Sequence, residues 1–277
     1  MDYVSAMQPD IFWKFTSPSI KLAVKNNLYE LFRYFGQSPY VERFEDDGLF
    51  RWHTAVQHPW FNGVLSTGVP TADTAESLQA TLAYFRSKDV EAISWWLEPG
   101  VKMNVWANIL SQHGFLYDDR TPGMAMDISR LSDHFKPPGS FTLREVQNRA
   151  ELRTWVETFT TGYGLPSSMT IPFYNLLASL GLNLLIRHYL GYMGNTPVAT
   201  ASLFLASGVA GIYNVATLME ARGMGIGGIM TAHPLRQASS LGYKVGVLQS
   251  SEMGYTLYRR LGFEKLCTMD HFYRYLR

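Results

Sequence analysis

"ARGMGIGGIM", residues 221–230, places four glycines within six positions, at Gly223, Gly225, Gly227 and Gly228. The strand-like segment "GIYNVAT" precedes it, and the residues after it predict a helix. Glycine permits a close approach to the backbone that any Cβ would block. Amides at a helix N-terminus also carry a partial positive charge. The stretch therefore predicts a strand–loop–helix unit that holds a phosphate-bearing group against its bare backbone.

Two familiar phosphate-binding loops do not fit this stretch. The P-loop pattern requires a Gly-Lys pair, which the sequence lacks. The dinucleotide pattern GxGxxG is met by Gly223, Gly225 and Gly228, but five residues separate it from the preceding strand. The chain after Gly228 is also too short for the rest of a doubly wound sheet. A glycine-rich turn that binds no ligand remains the alternative interpretation.

The flanking residues indicate an α+β domain. Residues 184–217 read as three strands separated by Gly-Asn and Ser-Gly turns, which is typical of an antiparallel meander. After the glycine loop we predict a helix to about Leu241, a buried strand in "YKVGVLQ", a helix in "SEMGYTLYRRLG" and a last strand in "CTMDHFYRYL", which contains Cys267. The pattern favours a mixed, mostly antiparallel sheet flanked by helices.

The segment "DHFKPPG", residues 133–139, predicts a linker, and we place the domain boundary between residues 136 and 137. The two resulting halves, 1–136 and 137–277, share a pattern. A predicted helix ends at Gly114 before Phe115 in the first half, and at Gly262 before Phe263 in the second. Both glycines suit left-handed helix C-caps. The repeat indicates a structural duplication.

Two segments of the second half resemble motifs of the GCN5-related N-acetyltransferase (GNAT) family. "NVATLMEARGMGIGGIM" resembles its acetyl-CoA motif, [RQ]-x-x-G-x-[GA], and "LQSSEMGYTLYRRLGF" resembles its later motif, N-x-x-A-x-x-x-Y-x-x-x-G-F. They occur in the family's order and at its separation, and the likeness covers residues 141–277. The first half has no Arg-x-x-Gly-x-Gly. The resemblance thus implies two GNAT-like domains, of which the first is a degenerate copy without a cofactor loop.

The resemblance also implies roles for individual residues. The amides of the glycine loop would hold the pyrophosphate of acetyl-CoA, and the strand before it would pair with the pantetheine arm as an added strand does. Tyr258 falls where the family has its general acid. Ser251 stands where the family has Asn, and Gly254 where it has Ala. The predicted cofactor-binding residues are Val215, Ala216, Thr217, Arg222, Gly223, Met224, Gly225, Ile226, Gly227, Gly228 and Ser251.

The implied reaction is direct attack by a primary amine of a small molecule or peptide on the acetyl-CoA thioester. Transfer of another acyl or aminoacyl group, and a non-catalytic CoA-binding sensor or scaffold, remain alternatives. His188, Tyr213, Asn214 and a water chain are all candidates for the general base. A strand that splays from its neighbour would leave an N–H for the oxyanion.

Composition restricts the class of protein and its partners. The chain of 277 residues has a formal net charge of +1 and 47% hydrophobic residues, which is a globular composition. It predicts neither a nucleic-acid nor a membrane partner, and no apolar run reaches the ~18 residues of a spanning helix. A start without a leader pattern and a single cysteine favour a cytoplasmic monomer or homodimer.

Two features of the first half concern ligands. His53 and His58 are predicted on opposite faces of one strand without a carboxylate or cysteine cluster, so we expect no metal site. The first half is also rich in aromatic residues, and we expect it to wall the substrate groove or to cover a face of the second half. These residues are Trp52, Trp60, Phe61, Trp95, Trp96 and Trp106.

Overall fold

The computed structural model describes residue 11 and residues 19–46, 48–71, 73–98, 102–118, 121–132, 135–182 and 185–277. Asp133 and His134 of the predicted linker lie outside this range, as does most of the N-terminal stretch without a leader pattern. Within the range, no helix is long and apolar enough to cross a membrane.

Thirteen strands and seven α-helices form in the described residues. The strands are β1 (Val41–Asp46), β2 (Leu49–Thr54), β3 (Gly63–Ser66), β4 (Ala92–Leu97), β5 (Leu116–Asp118), β6 (Pro122–Asp127), β7 (Phe141–Glu145), β8 (Ile186–Met193), β9 (Thr196–Ala206), β10 (Val209–Thr217), β11 (Val245–Gln249), β12 (Glu264–Thr268) and β13 (His271–Tyr275). The helices are α1 (Ile20–Phe35), α2 (Thr74–Ser87), α3 (Met103–Gln112), α4 (Arg149–Tyr163), α5 (Thr170–Leu180), α6 (Ile226–Ser240) and α7 (Glu252–Leu261).

The strands form two sheets with the same plan. The first has the order β1-β2-β3-β4-β13-β5, and the second has the order β7-β8-β9-β10-β11-β6-β12. From β8 onward, each strand of the second sheet has a counterpart in the first. In both sheets one neighbouring pair is parallel, β3 with β4 and β10 with β11, and the other pairs are antiparallel. The predicted α+β class and the duplication are confirmed.

The glycine C-caps that suggested the duplication have the expected conformation. Gly114 and Gly262 follow α3 and α7 with φ of 76° and 108°. An L-residue with a Cβ rarely adopts this left-handed region, so each glycine ends its helix and turns the chain into the next strand.

The two halves exchange one strand each. β6 comes before the linker, yet it lies between β11 and β12 of the second sheet. β13 ends the chain, yet it lies between β4 and β5 of the first sheet. The boundary at 136/137 therefore does not separate the two sheets. Strand patterns in the sequence mark where a strand lies along the chain but not which sheet it joins.

Helix α1 connects the sheets through buried polar contacts. Tyr29 donates its hydroxyl to the carbonyl of Leu97 at the end of β4, 2.8 Å away. Asn27 donates its side-chain amide to the carbonyl of Ala206 in β9, also at 2.8 Å. One apolar core contains α1, α4, α5 and facing residues of both sheets. Helices α6 and α7 pack on the other face of the second sheet.

Trp95 and Trp96 face opposite sides of β4, as their adjacency predicts. Trp95 packs with Trp106 in the core beneath α2 and α3. Trp96 packs in the core shared by the two sheets, where its ring stacks on His271 of β13 at 4.3 Å. Both tryptophans are buried, so neither lines an accessible pocket.

The strand exchange makes a prediction about fragments. Fragment 137–277 lacks β6, which would expose the unpaired edges of β11 and β12 and the apolar residues that cover Met124 and Met126. We expect each half alone, 1–136 or 137–277, to be insoluble and the two co-expressed halves to purify as a one-to-one complex. A soluble fragment 137–277 with native-like thermal melting would contradict the coupling.

Candidate active site

A cleft opens in the second sheet where its two parallel strands separate. β10 and β11 are paired only at Ala210 with Gly246 and at Gly211 with Val247. Beyond Gly211, β10 continues for six residues without pairing to β11. Backbone groups on this edge of β10 are therefore outside the sheet ladder, and an extended ligand can pair with them as an added strand would.

A β-bulge at Asn214 shapes the edge of the cleft. The register of β10 against β9 shifts between Tyr213 and Ala216, and Asn214 has a φ of 53°. Asn tolerates this left-handed conformation better than most residues with a side chain. The bulge is held by two hydrogen bonds: the Asn214 carbonyl accepts from Thr200 Oγ1 at 2.8 Å, and Asn214 Nδ2 donates to Ser202 Oγ at 3.2 Å. Side chains of the neighbouring strand β9 thus hold the bend in β10.

The glycine loop follows β10 and ends at the N-terminus of α6. Gly223 and Gly225 have φ of 78° and 77°, which favours glycine on conformational grounds. Gly227 and Gly228 are required by close packing instead. A Cβ at Gly227 would lie 3.1 Å from the Leu257 side chain, and a Cβ at Gly228 would lie 2.6 Å from the Phe135 ring.

The loop presents unpaired amides. Within the described part of the chain, no hydrogen bond is made by the N–H groups of residues 223–227. The amides at the two ends of the predicted range are engaged: Arg222 N–H donates to the Met219 carbonyl, and Gly228 N–H donates to the Gly225 carbonyl. Five successive amide donors at a helix N-terminus form a site suited to an anionic group.

The side chains of the glycine loop fix its shape and contribute little to ligand binding. Ile226 is buried in the core and Met224 is exposed, so both offer only their amides to a ligand. Arg222 donates through Nε to the Thr217 carbonyl at 3.0 Å and through Nη2 to the Gly162 carbonyl at 2.9 Å. The guanidinium thereby ties the loop to the end of β10 and to the end of α4.

Tyr258 lies on α7, one turn before Gly262, and its side chain is buried. Its ring meets Phe263 edge-on, with centroids 5.9 Å apart. A Cβ at Gly254 would lie 2.7 Å from Tyr258 Cε2, which explains glycine at this position. Among the residues that the structure describes, the Tyr258 hydroxyl has no hydrogen-bond partner. Burial, with a smaller effect of Tyr163, raises the pKa of Tyr258 above its ordinary value.

Ser251 caps the N-terminus of α7. Its hydroxyl oxygen accepts from the Gly254 N–H at 3.2 Å, while its own proton can still be donated. Ser251 thus has a helix-capping role that is independent of any cofactor.

The three candidate general bases do not have the properties of one. His188 is buried, and burial lowers its pKa to about 3, which leaves it far less basic than an amine. Its Nδ1 lies 2.8 Å from Ser202 Oγ, in the network that holds the bulge. Tyr213 donates its hydroxyl to Asn27 Oδ1 at 2.7 Å, and burial raises its pKa. Asn214 carries no basic group, so water remains the candidate for proton removal.

The first sheet has no comparable cleft among its described residues. β3 and β4 are paired at four positions, from Gly63 with Ser94 to Ser66 with Leu97. Ser66 closes the end of this pair, because its carbonyl accepts from the Glu98 N–H at 2.9 Å and its hydroxyl accepts from Trp95 Nε1 at 2.6 Å. An extended ligand therefore finds no open strand edge between β3 and β4.

Two sequence-based placements are wrong. His58 lies in the loop after β2 rather than on the strand, and Cys267 lies on β12 rather than on the last strand. The error at Cys267 arises because Met269 and Asp270 interrupt "CTMDHFYRYL" where the chain passes from the second sheet to the first. Burial raises the pKa of the Cys267 thiol. The described residues contain no group of three or more His, Cys, Asp or Glu side chains arranged to hold a metal ion.

Sequence reasoning missed several residues beside the site. The Phe135 ring covers Gly225 and Gly228, and Arg260 of α7 lies over that ring at 5.3 Å. Gly162 contacts the end of β10, since a Cβ there would lie 2.9 Å from Ala216 Cβ. The glycine at position 162 could have indicated this close contact from the sequence, but a glycine near the end of a helix is also common as a capping residue.

Comparisons with solved structures identify the architecture. The GCN5-related N-acetyltransferase from Kribbella flavida is 21% identical, with a TM-score of 0.66 over 91% of this chain and 95% of that chain. A tandem GNAT protein from the clavulanic acid biosynthesis pathway is 12% identical, with a TM-score of 0.57 over 87% of this chain and 85% of that chain. The chain has the tandem GNAT fold.

A further GNAT, from Sphaerobacter thermophilus, is 15% identical, with a TM-score of 0.59 over 83% of this chain and 77% of that chain. No protein-family model and no curated protein matches the chain in sequence. The likeness to these GNAT structures is one of fold. The chemistry of the site has to be argued from its own residues.

The conformation of Gly225 makes a testable prediction. Gly225→Val forces a β-branched residue into the left-handed region and places a side chain among the unpaired amides. We expect calorimetry to show CoA affinity reduced about tenfold or more, which corresponds to about 1.4 kcal/mol.

Gly194→Val is the matched control. Gly194 also has a positive φ, 59°, and open space around it, but it lies in the β8–β9 turn, away from the loop. We expect it to lower the melting temperature without weakening CoA binding. Equal CoA affinity of the two variants would show that the glycine loop is not the anion site.

Proposed function

We propose that this protein is an N-acetyltransferase that transfers acetyl from acetyl-CoA to a primary amine of a small molecule or peptide. The observation that carries the proposal is the convergence of three features on one cleft. These features are the open edge of β10, the five unpaired amides of residues 223–227 and the hydroxyl of Tyr258. Each suits a different part of an acyl-CoA.

In this proposal the cofactor is bound mainly by backbone. The pyrophosphate accepts hydrogen bonds from the amides of the glycine loop, helped by the dipole of α6. The pantetheine arm extends along Val215, Ala216 and Thr217 and pairs with the edge of β10 that β11 leaves open. Ser251 donates its hydroxyl proton from the facing end of α7. The first half, with β3 and β4 closed along their length, binds no second cofactor.

The acyl transfer then proceeds without a covalent enzyme intermediate. The neutral amine attacks the thioester carbonyl, and a backbone N–H at the splayed edge stabilises the oxyanion. Water takes the proton that the attacking nitrogen loses. The tetrahedral intermediate then collapses by breaking the C–S bond, Tyr258 supplies the proton that the departing thiolate takes up, and the phenolate regains a proton from water. Desolvation raises the pKa of the phenol, and it would also raise that of a thiol bound in the same cleft, so the proton transfer remains near-matched.

Tyr258→Phe tests the acid role, because it keeps the ring and removes only the hydroxyl. We expect turnover to fall by ~10²-fold or more while CoA affinity and melting temperature change little. Tyr255→Phe is the matched control on the same helix, and it should retain turnover. If Tyr258→Phe turns over normally where chemistry limits the rate, the acid is not Tyr258. A wild-type protein that binds CoA but acetylates no amine would indicate a CoA sensor.

The pH profile provides an independent check. Because burial raises the pKa of Tyr258 above its ordinary value of about 10, the acid stays protonated throughout the usual assay range. We expect kcat/KM to rise with pH as the acceptor amine loses its proton, with no descending limb below pH ~10. A descending limb near pH 8 that is lost in Tyr258→Phe would contradict the raised pKa.

A further inference from the structure

An aromatic pair joins the two halves of the chain beside the proposed site. Trp60 lies in the loop between β2 and β3, and Tyr163 is the last residue of α4. Their rings meet edge to face, with centroids 5.6 Å apart and planes at 87°. Both remain accessible, Trp60 at 46% and Tyr163 at 39%. Two large rings that contact each other and still face solvent are a surface on which a third ring can pack.

Tyr163 is placed at the end of the cleft where acyl transfer is proposed. The preceding residue, Gly162, lies against Ala216 on the open edge of β10, and its carbonyl accepts from Arg222. After burial, Tyr163 is the second cause that raises the pKa of Tyr258. The aromatic pair therefore stands beside the stretch of β10 along which the pantetheine arm is proposed to extend.

Trp60 is held in place by a loop fixed to the first sheet. The Trp60 N–H donates to His58 Nδ1 at 3.2 Å, and the two rings lie 4.5 Å apart. Buried Asn62 fastens the same loop, because its side chain donates to the Val56 carbonyl at 2.7 Å and accepts from the Thr54 N–H at 2.8 Å. The exposed indole is thus presented by a rigid loop, which favours a binding role.

The next residue of the loop anchors it to the second half. The Phe61 ring meets Phe173 of α5 edge to face, with centroids 4.8 Å apart, in the core shared by both halves. The position of Trp60 relative to Tyr163 is therefore set by buried packing on both sides of the pair.

The pKa values of His58 and Tyr163 are shifted by burial and by no neighbouring charge. Burial alone lowers the pKa of His58 to about 4, so this imidazole is neutral at pH 7. Neighbouring atoms partly cover Tyr163, which raises the pKa of its hydroxyl above the ordinary value although the residue remains 39% exposed. No acidic or basic side chain in the described residues contributes to either pKa shift. The Arg222 guanidinium, on the carbonyl of the neighbouring residue Gly162, is engaged by backbone carbonyls.

We propose that Trp60 and Tyr163 form the acceptor-binding wall, and that the acceptor is an arylalkyl primary amine whose ring packs on this wall. The inference rests on the proposed acetyl transfer. The amino group would reach the thioester beside Tyr258 while the aromatic ring contacts Trp60. The first half would then supply a specificity residue to the cleft of the second half.

The test compares 2-phenylethylamine with butylamine as acceptors for the full chain. We expect the wild type to have a kcat/KM about tenfold or more higher for 2-phenylethylamine. Trp60→Ala should reduce this ratio about tenfold, mainly through KM, and Trp60→Phe should restore most of it. Tyr40→Ala removes another exposed aromatic side chain of the first half, and it should leave the ratio unchanged.

The outcomes separate the two proposals. If the wild type acetylates both amines but Trp60→Ala keeps the wild-type ratio, the aromatic wall is wrong and the acetyltransferase proposal stands. If neither amine is acetylated, calorimetric titration of 2-phenylethylamine tests whether the aromatic wall binds the ring, independently of the reaction. Binding that is weakened about tenfold in Trp60→Ala and not in Tyr40→Ala supports the wall without the reaction, and equal or undetectable binding in all variants overturns it.

Discussion

The exchange of β6 and β13 between the two sheets is the constraint on which the rest of the structure depends. A strand inside a sheet must have both of its backbone edges paired, and here each half supplies the strand that completes the other. β6 fixes β11 along five residue pairs, whereas β10 is joined to β11 by only two. β6, which comes from the first half, therefore holds β11 on one side of the cleft, while the edge of β10 on the other side remains open.

The cleft is formed by backbone groups of β10 and of the glycine loop that make no hydrogen bonds within the sheet or the helix. β10 bends at the Asn214 bulge, and the glycine loop leaves five amides without intramolecular acceptors. Amide donors of this kind at a helix N-terminus suit an anionic group, which is the basis of the proposed pyrophosphate site. The cost of the bend is offset by the hydrogen bonds from Thr200 and to Ser202.

The duplicated halves differ in their parallel strand pairs, β3 with β4 in the first sheet and β10 with β11 in the second. In the first sheet, Ser66 and Trp95 close the parallel pair, and the residues that would line a cleft are packed into a core instead. Its loop after β2 has a different use, because it brings Trp60 to the end of α4. One copy thus provides the open strand edge, and the other provides β6, the strand that supports the neighbouring β11.

The sequence by itself determined the local features of this protein. The helices and strands that flank the glycine loop, the left-handed caps at Gly114 and Gly262, the glycine loop and the position of Tyr258 one turn before a cap all follow from patterns within about 20 residues. Such patterns reflect backbone sterics and side-chain periodicity, which are properties of neighbouring residues. Only the tertiary structure decided which sheet β6 and β13 join, that Phe135 covers Gly228, and that Trp60 meets Tyr163. These contacts join residues far apart in the chain, and their geometry depends on how whole sheets and helices pack, which no local pattern encodes.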